Sequence, residues 1–480
     1  MRRKKKNIVL QELTVEDYAA EGKSLARSDG KVIFMEGVVP GDVVDVRLLK
    51  NKKDWAEGSV LKFHRFSADR VDPFCPHFGV CGGCQWQMLP YEKQLEYKHR
   101  QVEEVLKRIG KVKLPPFQKI IGAQETRYYR NKLEYTFGNK RYLRKEELGQ
   151  EGISGEQDVA GFHARGFFDK VVDIQKCFLQ EEPTNDIRLA VKAFAKQNEW
   201  NFYDIRQHQG FMRNMQVRIC TTGEIMVNIV VAENDSDKIE LLMSYVIKKF
   251  PAITTLLYTV NTKFNDSLTD LVPQIYHGNG YVIEKLRTGF SNEEFSFKIG
   301  PTSFFQTNSR QGEQLYRVAR DFAELTGKEI VYDLYCGTGS IGIFVSRAAS
   351  KIIGVEMIDA AIRDARENAL LNGVDSAEFF TGDVIDICND DFFESHGRPD
   401  VIITDPPRAG MHEKLVRKIL EMEAPIVVYV SCNPATQARD LNLLDEKYEV
   451  TRVQPVDMFP HTHHIENVVQ LKRRKHPNSV

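Results

Sequence analysis

Cys432, in the run Val430-Ser431-Cys432-Asn433-Pro434, follows the apolar stretch from Pro425 to Val430 and precedes a proline that stops a strand. That order puts a thiol at the carboxyl edge of a sheet, where open α/β domains gather ligands and reacting groups. A thiolate is the strongest nucleophile a side chain offers, but an unperturbed thiol is only about 3% ionised at neutral pH, so a local field has to activate it. A second group of chemical residues lies in Phe459-Pro460-His461-Thr462-His463-His464-Ile465-Glu466, just before the apolar run Asn467 to Leu471. Glu466 is the first choice of general base there, with His461 and His464 competing.

A third cluster is the glycine-rich turn Cys336-Gly337-Thr338-Gly339-Ser340-Ile341-Gly342, which follows the apolar strand Glu329 to Tyr335. Glycines let a ligand approach the backbone, and Glu356 closes the next strand, where a carboxylate accepts two ribose hydroxyls. Nicotinamide dinucleotides and S-adenosylmethionine both use such a turn. Two features favour S-adenosylmethionine: Asp333 stands before the first glycine, and Thr404-Asp405-Pro406-Pro407-Arg408 ends the fourth strand with an acid and two prolines. Arg408 replaces the aromatic that follows the prolines in amine methyltransferases. No cysteine accompanies Asp405, as it would in enzymes acting on carbon 5 of cytosine. The remaining target for a lone thiol is carbon 5 of uracil, too weak a nucleophile until a thiolate adds to carbon 6. A base must then remove the carbon 5 proton.

The elements that position these groups fall into three units. Residues 8 to 66 alternate apolar and polar positions, with turns at Ser28-Asp29-Gly30 and Val39-Pro40-Gly41-Asp42; this predicts a small five-stranded barrel over 1–66, a form that often binds oligonucleotides. Residues 67–290 read as a β-rich α+β unit, with helical spacing from Gln94 to Ile109 and from Pro183 to Gln197. From 291 to 480 strands and helices alternate regularly, which predicts a doubly wound parallel sheet. The expected fold class is therefore multidomain α/β.

Bulk composition narrows the setting. The 480 residues are 42% apolar and 28% charged, with net charge −1, ordinary for globular protein and unlike a polycation. No apolar run has the ~18 residues of a membrane span, and the N-terminus lacks a secretory apolar core, so a cytoplasmic protein with no membrane or DNA partner is expected. The basic runs Arg2 to Lys6 and Lys472 to Lys475 are candidates for phosphate contact or plain solvated tails. Cys75, Cys81 and Cys84, as C-x5-C-G-G-C, are spaced too tightly for chance and are one ligand short of a four-thiolate site for zinc or an iron–sulfur cluster. Cys220, Cys336 and Cys388 read as ordinary buried cysteines.

On these motifs the chain resembles the RNA (uracil-5-)-methyltransferases, specifically the branch acting on 23S ribosomal RNA. The resemblance implies Cys432 as nucleophile, Glu466 of His464-Ile465-Glu466-Asn467-Val468 as base, and Gln306, Tyr335, Glu356 and Asp405 as contacts to S-adenosylmethionine, with Asp383 ranked lower. Ser340 stands where some members have asparagine, which puts a contact there in doubt. It also implies that the barrel is a TRAM domain, that Cys177 completes the cysteine site, that the site holds a [4Fe-4S] cluster rather than zinc, and that the target base is flipped into the pocket. Alternatives are a tRNA uridine-5 methyltransferase, and an RNA-binding ribosome assembly factor with a vestigial methyltransferase fold.

Overall fold

The computed structural model describes residues 8–147, 157–290 and 292–475; the basic run Arg2 to Lys6 lies outside them. The N-terminal strands are Val9–Thr14, Asp17–Tyr18, Ser24–Ser28, Lys31–Met35, Val43–Asn51 and Trp55–Arg65. Six segments are seen where five strands are expected, because the first strand is bent at Val15-Glu16. Its first half pairs with Val43–Asn51 and its second with Ser24–Ser28, so one stretch of chain supplies both edges of the sheet. A bent strand serving both edges removes the exposed edge that an open sheet would offer. Leu13, Val15, Ala26, Ile33, Val44, Val46 and Ala56 fill the interior, one from each turn of the alternation.

The central unit is a seven-stranded sheet in which Lys132–Gly138, Met212–Ile219 and Ile225–Val231 are antiparallel neighbours. Helices Thr184–Gln197 and Ser236–Lys249 cover it with Ile187, Val191, Leu242, Met243 and Val246. The chain then builds a hairpin, Val282–Arg287 with Glu294–Ile299, which straddles residue 290. Its Val282, Leu286, Phe295 and Phe297 pack in the core of the C-terminal domain. Its edge backbone is held by Asn372 Oδ1, accepting from Ser296 N at 2.8 Å, and Asn368 Oδ1, accepting from Lys298 N at 2.7 Å.

The C-terminal sheet runs in the order Ala377–Thr381, Lys351–Glu356, Ile330–Leu334, Val401–Thr404, Ile426–Ser431, Glu466–Arg473, Tyr448–Val456. The first five strands are parallel and the strand Glu466–Arg473 is antiparallel to its neighbour. Strands buried on both faces need continuous apolar runs, which Val401-Ile402-Ile403 and Val427-Val428-Tyr429-Val430 supply. Strand order reverses between Ile330–Leu334 and Val401–Thr404, and a crevice for ligands opens at such a point.

The helix Tyr91–Val105 lies against this domain although it belongs to the stretch 67–290. Its Lys98 Nζ donates to Asp457 Oδ1 at 2.6 Å with both side chains fully buried, and Tyr91 Oη donates to Asp457 Oδ2 at 2.8 Å. Among the described residues no helix is long and apolar enough to cross a membrane. The C-terminal basic run is engaged internally: Lys472 with Glu324 at 2.7 Å, Arg473 with Glu423 at 3.2 Å and Arg474 with Asp445 at 2.5 Å.

Candidate active site

Cys432 follows the strand Ile426–Ser431 and precedes Asn433, the cap of the helix Pro434–Leu444. Asn433 Oδ1 accepts from Ala435 N at 3.1 Å, and Pro434 takes the first helical position, where a missing N–H costs nothing. The thiol thus sits just before the positive end of a helix dipole. Antiparallel pairing sets Ser431 opposite Asn467, and one further step of that register brings Cys432 to Glu466. Glu466 is buried at 5% exposure, and Asn467 beside it is tied to Gln437 of the helix by Nδ2 donation at 2.7 Å.

The electrostatics of this corner oppose ionised thiol and ionised carboxyl alike. Burial, then Glu466 and Asp405, push the Cys432 thiol up to about 11, while Arg408 pulls it back down. Burial and the Asp405 charge raise Glu466 well above the usual carboxylate range, again against Arg408. Burial lifts Asp405 to about 7. The Glu466–Asp405 pair thus keeps a proton that two isolated carboxylates would release, because two buried like charges cannot both ionise cheaply.

The cofactor turn is tied to the same corner. Asp333 is buried to 1% exposure; burial, with Asp405 and Glu356, raises it to about 7, although its Oδ2 accepts from Gly342 N at 2.8 Å. A Cβ at Gly342 would stand 2.9 Å from that oxygen, so the third glycine of the motif is required for the close approach. Tyr335 has φ +61, a conformation a non-glycine residue adopts only where its surroundings impose it, and its hydroxyl is raised by burial and by Asp383, Asp440 and Glu356. Glu356 accepts from Gly337 N at 3.3 Å and Ile358 N at 3.0 Å, which fixes the carboxylate at the mouth of the turn. Ser340 Oγ is within 2.9 Å of Tyr316 Oη, so that hydroxyl pair fills the position left in doubt. Gln306 is buried on the loop before the helix Ser309–Ala323, where its carbonyl accepts from Asn131 Nδ2 at 2.9 Å. Asp383 caps the short helix Val384–Ile387 by accepting from Ile385 N at 2.9 Å.

The histidines divide. His461 has φ +65, its ring Nδ1 lies 3.1 Å from Gln94 Nε2, and its carbonyl accepts from Gln85 N and Trp86 N, so it clips the segment before Glu466 to the loop after Cys84. Its ring is pushed down to about 4, chiefly by burial. His464 accepts from Arg408 Nη2 at 2.8 Å through Nδ1. Arg408 and His464 line, with Cys432, a cleft of about 750 Å³ whose far wall is Glu21, Lys23 and Arg165 from the other two domains. A second cleft of about 700 Å³, beside the helix Ser309–Ala323, mixes Lys285, Arg287 and Arg310 with Glu125, Glu294 and Glu313 and has neither cysteine nor histidine in its lining. Arg408 entered the sequence reading only as the residue replacing an aromatic; its partner His464 lies 56 positions away, a contact that no local pattern reveals.

Cys75, Cys81, Cys84 and Cys177 are neighbours: burial first, and then the other three cysteines, raise Cys177 to about 12. Cys81 is also raised to about 12, chiefly by burial. Among the described residues, however, no group of three or more His, Cys, Asp or Glu side chains is arranged to hold a metal ion. Burial favours neutral thiols that pack as small apolar groups, so the placement itself does not carry the expected four-thiolate site. Cys220, Cys336 and Cys388 are buried, as expected.

A doubly wound sheet with an acid-lined glycine turn at its switch point and a diproline edge defines an S-adenosylmethionine-dependent methyltransferase. Residues 272–474 match the family described as tRNA (Uracil-5-)-methyltransferase, and residues 9–61 match the TRAM domain. The chain is 50% identical over 459 residues to a Bacteroides thetaiotaomicron protein named an RNA methyltransferase, covering 95% of this chain and 100% of that one. A Porphyromonas gingivalis protein so named is 48% identical over 96% of this chain and 99% of its own. The crystal structure of Pyrococcus abyssi tRNA (uracil-54, C5)-methyltransferase in complex with S-adenosyl-L-homocysteine superposes with a TM-score of 0.73 at 27% identity, covering 96% of this chain and 100% of that one. The chain belongs to the RNA (uracil-5-)-methyltransferase family.

Proposed function

We propose that the protein methylates carbon 5 of a uridine in 23S ribosomal RNA, with Cys432 as nucleophile and Glu466 as base. The observation that carries the chemistry is the register that brings Cys432 to Glu466 beside Asp405. The Cys432 thiolate adds to carbon 6, forming a carbon–sulfur bond and moving the ring electrons to an enolate. Gln306, Tyr335, Glu356 and Asp405 would hold S-adenosylmethionine, whose methyl–sulfonium bond would break as the methyl group passes to carbon 5, with S-adenosylhomocysteine as the leaving group. Glu466 then takes the carbon 5 proton, the carbon 5–carbon 6 double bond re-forms and the thiolate leaves. A raised carboxyl pKa suits this proton acceptor, since it narrows the gap to a carbon acid. The cleft walls from the barrel and central domain offer a seat for single-stranded RNA around a flipped base.

A tRNA target is the second reading, favoured by the Pyrococcus abyssi enzyme, whose whole length aligns with this chain. Possession of the barrel and central domain therefore does not discriminate the two. The test is incubation with labelled S-adenosylmethionine and, separately, unmodified 23S ribosomal RNA and unmodified tRNA, followed by nucleoside analysis. 5-Methyluridine in the ribosomal RNA alone is expected; product in tRNA alone replaces the rRNA reading, and none in either removes both.

Within the same reading, Cys75, Cys81, Cys84 and Cys177 would be the thiols to hold a [4Fe-4S] cluster, a proposal that rests on the chemistry of the donor set, which suits iron–sulfur or zinc, and not on their arrangement. Iron and acid-labile sulfide in anaerobically prepared protein support the cluster, and stoichiometric zinc without iron reverses it. The cytoplasm is the matching location for an enzyme of this kind.

A further inference from the structure

We propose that His464 is a positioning residue for Cys432: its ring holds the Arg408 guanidinium beside the thiol so that the cation favours the thiolate. This rests on Cys432 being the nucleophile. The need is set by the surroundings, because burial, Glu466 and Asp405 all disfavour the thiolate and, beside the helix N-terminus, Arg408 is the side chain that favours it. The backbone of Arg408 is fixed from the thiol's own helix: its carbonyl accepts from Asn433 Nδ2 at 3.0 Å and Thr436 Oγ1 at 3.3 Å. The following residues are pinned by Arg439 Nη2, which donates to the carbonyls of Ala409 at 3.1 Å and Met411 at 2.9 Å.

The side chain of Arg408 has no such support from its own loop. It reaches into the cleft, where His464 takes one guanidinium N–H at 2.8 Å on Nδ1, with Nε2 at 3.4 Å from the same nitrogen. Accepting at Nδ1 requires a neutral ring with its proton on Nε2. Burial keeps it neutral, together with the basic groups that face it, His463, itself lowered by burial, and the cations Arg408, Lys98 and Arg130, and these carry the ring down to about 3. The ring itself is braced against His463 at 4.2 Å between centroids, and its backbone N–H donates to Thr462 Oγ1 at 3.3 Å. With its lone pair given to Arg408, His464 is not free to act as the base. Without it, the guanidinium is free to turn to solvent or to the Glu466 and Asp405 carboxyls.

The test needs no RNA: alkylation of Cys432 by iodoacetamide in the full-length protein, followed against pH by mass spectrometry of the Cys432 peptide. His464→Ala is expected to slow alkylation at pH 8 about tenfold, the effect of raising the thiol pKa by about one unit. His464→Asn, whose amide oxygen can accept from Arg408, should recover most of the rate. Arg408→Met should give the same loss as His464→Ala, and the double variant no further loss, since one interaction cannot be removed twice. A His464→Ala profile superimposed on the parent's, additive losses in the double variant, or an Asn variant as slow as the Ala variant would overturn the proposal. Absence of 5-methyluridine from the parent enzyme would strike the uridine reading and leave the alkylation result standing.

Discussion

At the scale of single residues the site is a contest between burial and one cation. Cys432, Glu466 and Asp405 crowd three ionisable groups into a corner where burial raises all three, Asp405 disfavours the charge on Glu466, and both acids disfavour the thiolate. Such crowding is costly unless the charges are made in sequence, which covalent addition followed by proton removal does. Glu466→Gln keeps shape but cannot accept the carbon 5 proton, so a methylated protein–RNA adduct should accumulate and survive denaturing electrophoresis. Cys432→Ala should form no adduct and lose activity by at least roughly 10³-fold. An adduct in the Ala variant would move the nucleophile elsewhere. The strand-end placement of both residues could be read from sequence because each end is marked by a proline or a change of apolar pattern, while the role of Glu466 came from the family resemblance. Arg408 and His464 could not be paired that way: their contact depends on how the edge after Thr404 faces the segment before Glu466, which is a property of the closed sheet.

At the scale of elements, the strands of the C-terminal sheet were the most legible part, because burial on both faces demands uninterrupted apolar runs. The first barrel strand was less so: a two-residue half strand, Asp17–Tyr18, leaves no alternation to detect. The turn after Ile330–Leu334 joins the two kinds of evidence, since its glycines are visible in sequence but the reason for Gly342 is the buried Asp333 carboxylate behind it. That carboxylate has a measurable consequence. Its folded pKa of about 7 lies above the ordinary value near 4, so the folded state keeps a proton that the unfolded chain releases. Stability therefore falls as pH rises between about 4 and 7, and the full penalty remains above 7. Asp333→Asn removes the ionisation while keeping an oxygen for Gly342 N–H. It should stabilise the protein by ~4 kcal/mol at pH 8 and by nothing near pH 4. Denaturant titrations at the two pH values check this; equal shifts at both would show that Asp333 does not titrate across that window. The gain should come with weaker S-adenosylhomocysteine binding, because the acid belongs to the turn that receives the cofactor.

At the scale of the whole molecule, the three units meet at the catalytic segment rather than lying in a row. The helix Tyr91–Val105 reaches Asp457 and His461, the loop after Cys84 hydrogen-bonds the His461 carbonyl, and the barrel turn at Gly22 touches His463 and Trp86. Composition gave little sign of this, since the contacts join residues more than 300 positions apart, such as Gln94 with His461. In the same arrangement Lys23, Arg165 and Arg408 converge on one cleft together with Glu21 and Glu36, with Lys23 paired to Glu57 at 3.1 Å and Arg165 to Glu36 at 3.2 Å, so a protein of net charge −1 gathers a small local excess of cations there. Gly22 is the point at which the arrangement can be tested. Its φ of +71 favours glycine, its carbonyl accepts from Trp86 Nε1 at 3.3 Å, and a Cβ there would stand 2.8 Å from the His463 Cβ. Gly22→Val should therefore push the barrel turn away from His463 while leaving the cofactor turn, which Gly22 does not touch, intact. The expected result is S-adenosylhomocysteine affinity within about twofold of the parent and kcat/KM for RNA down by roughly tenfold or more, the equivalent of ~1.4 kcal/mol. Isothermal titration with S-adenosylhomocysteine and single-turnover methylation measure the two. Unchanged RNA methylation would mean that the barrel contributes nothing to the seat through this contact, and that His463 is held by the catalytic domain alone.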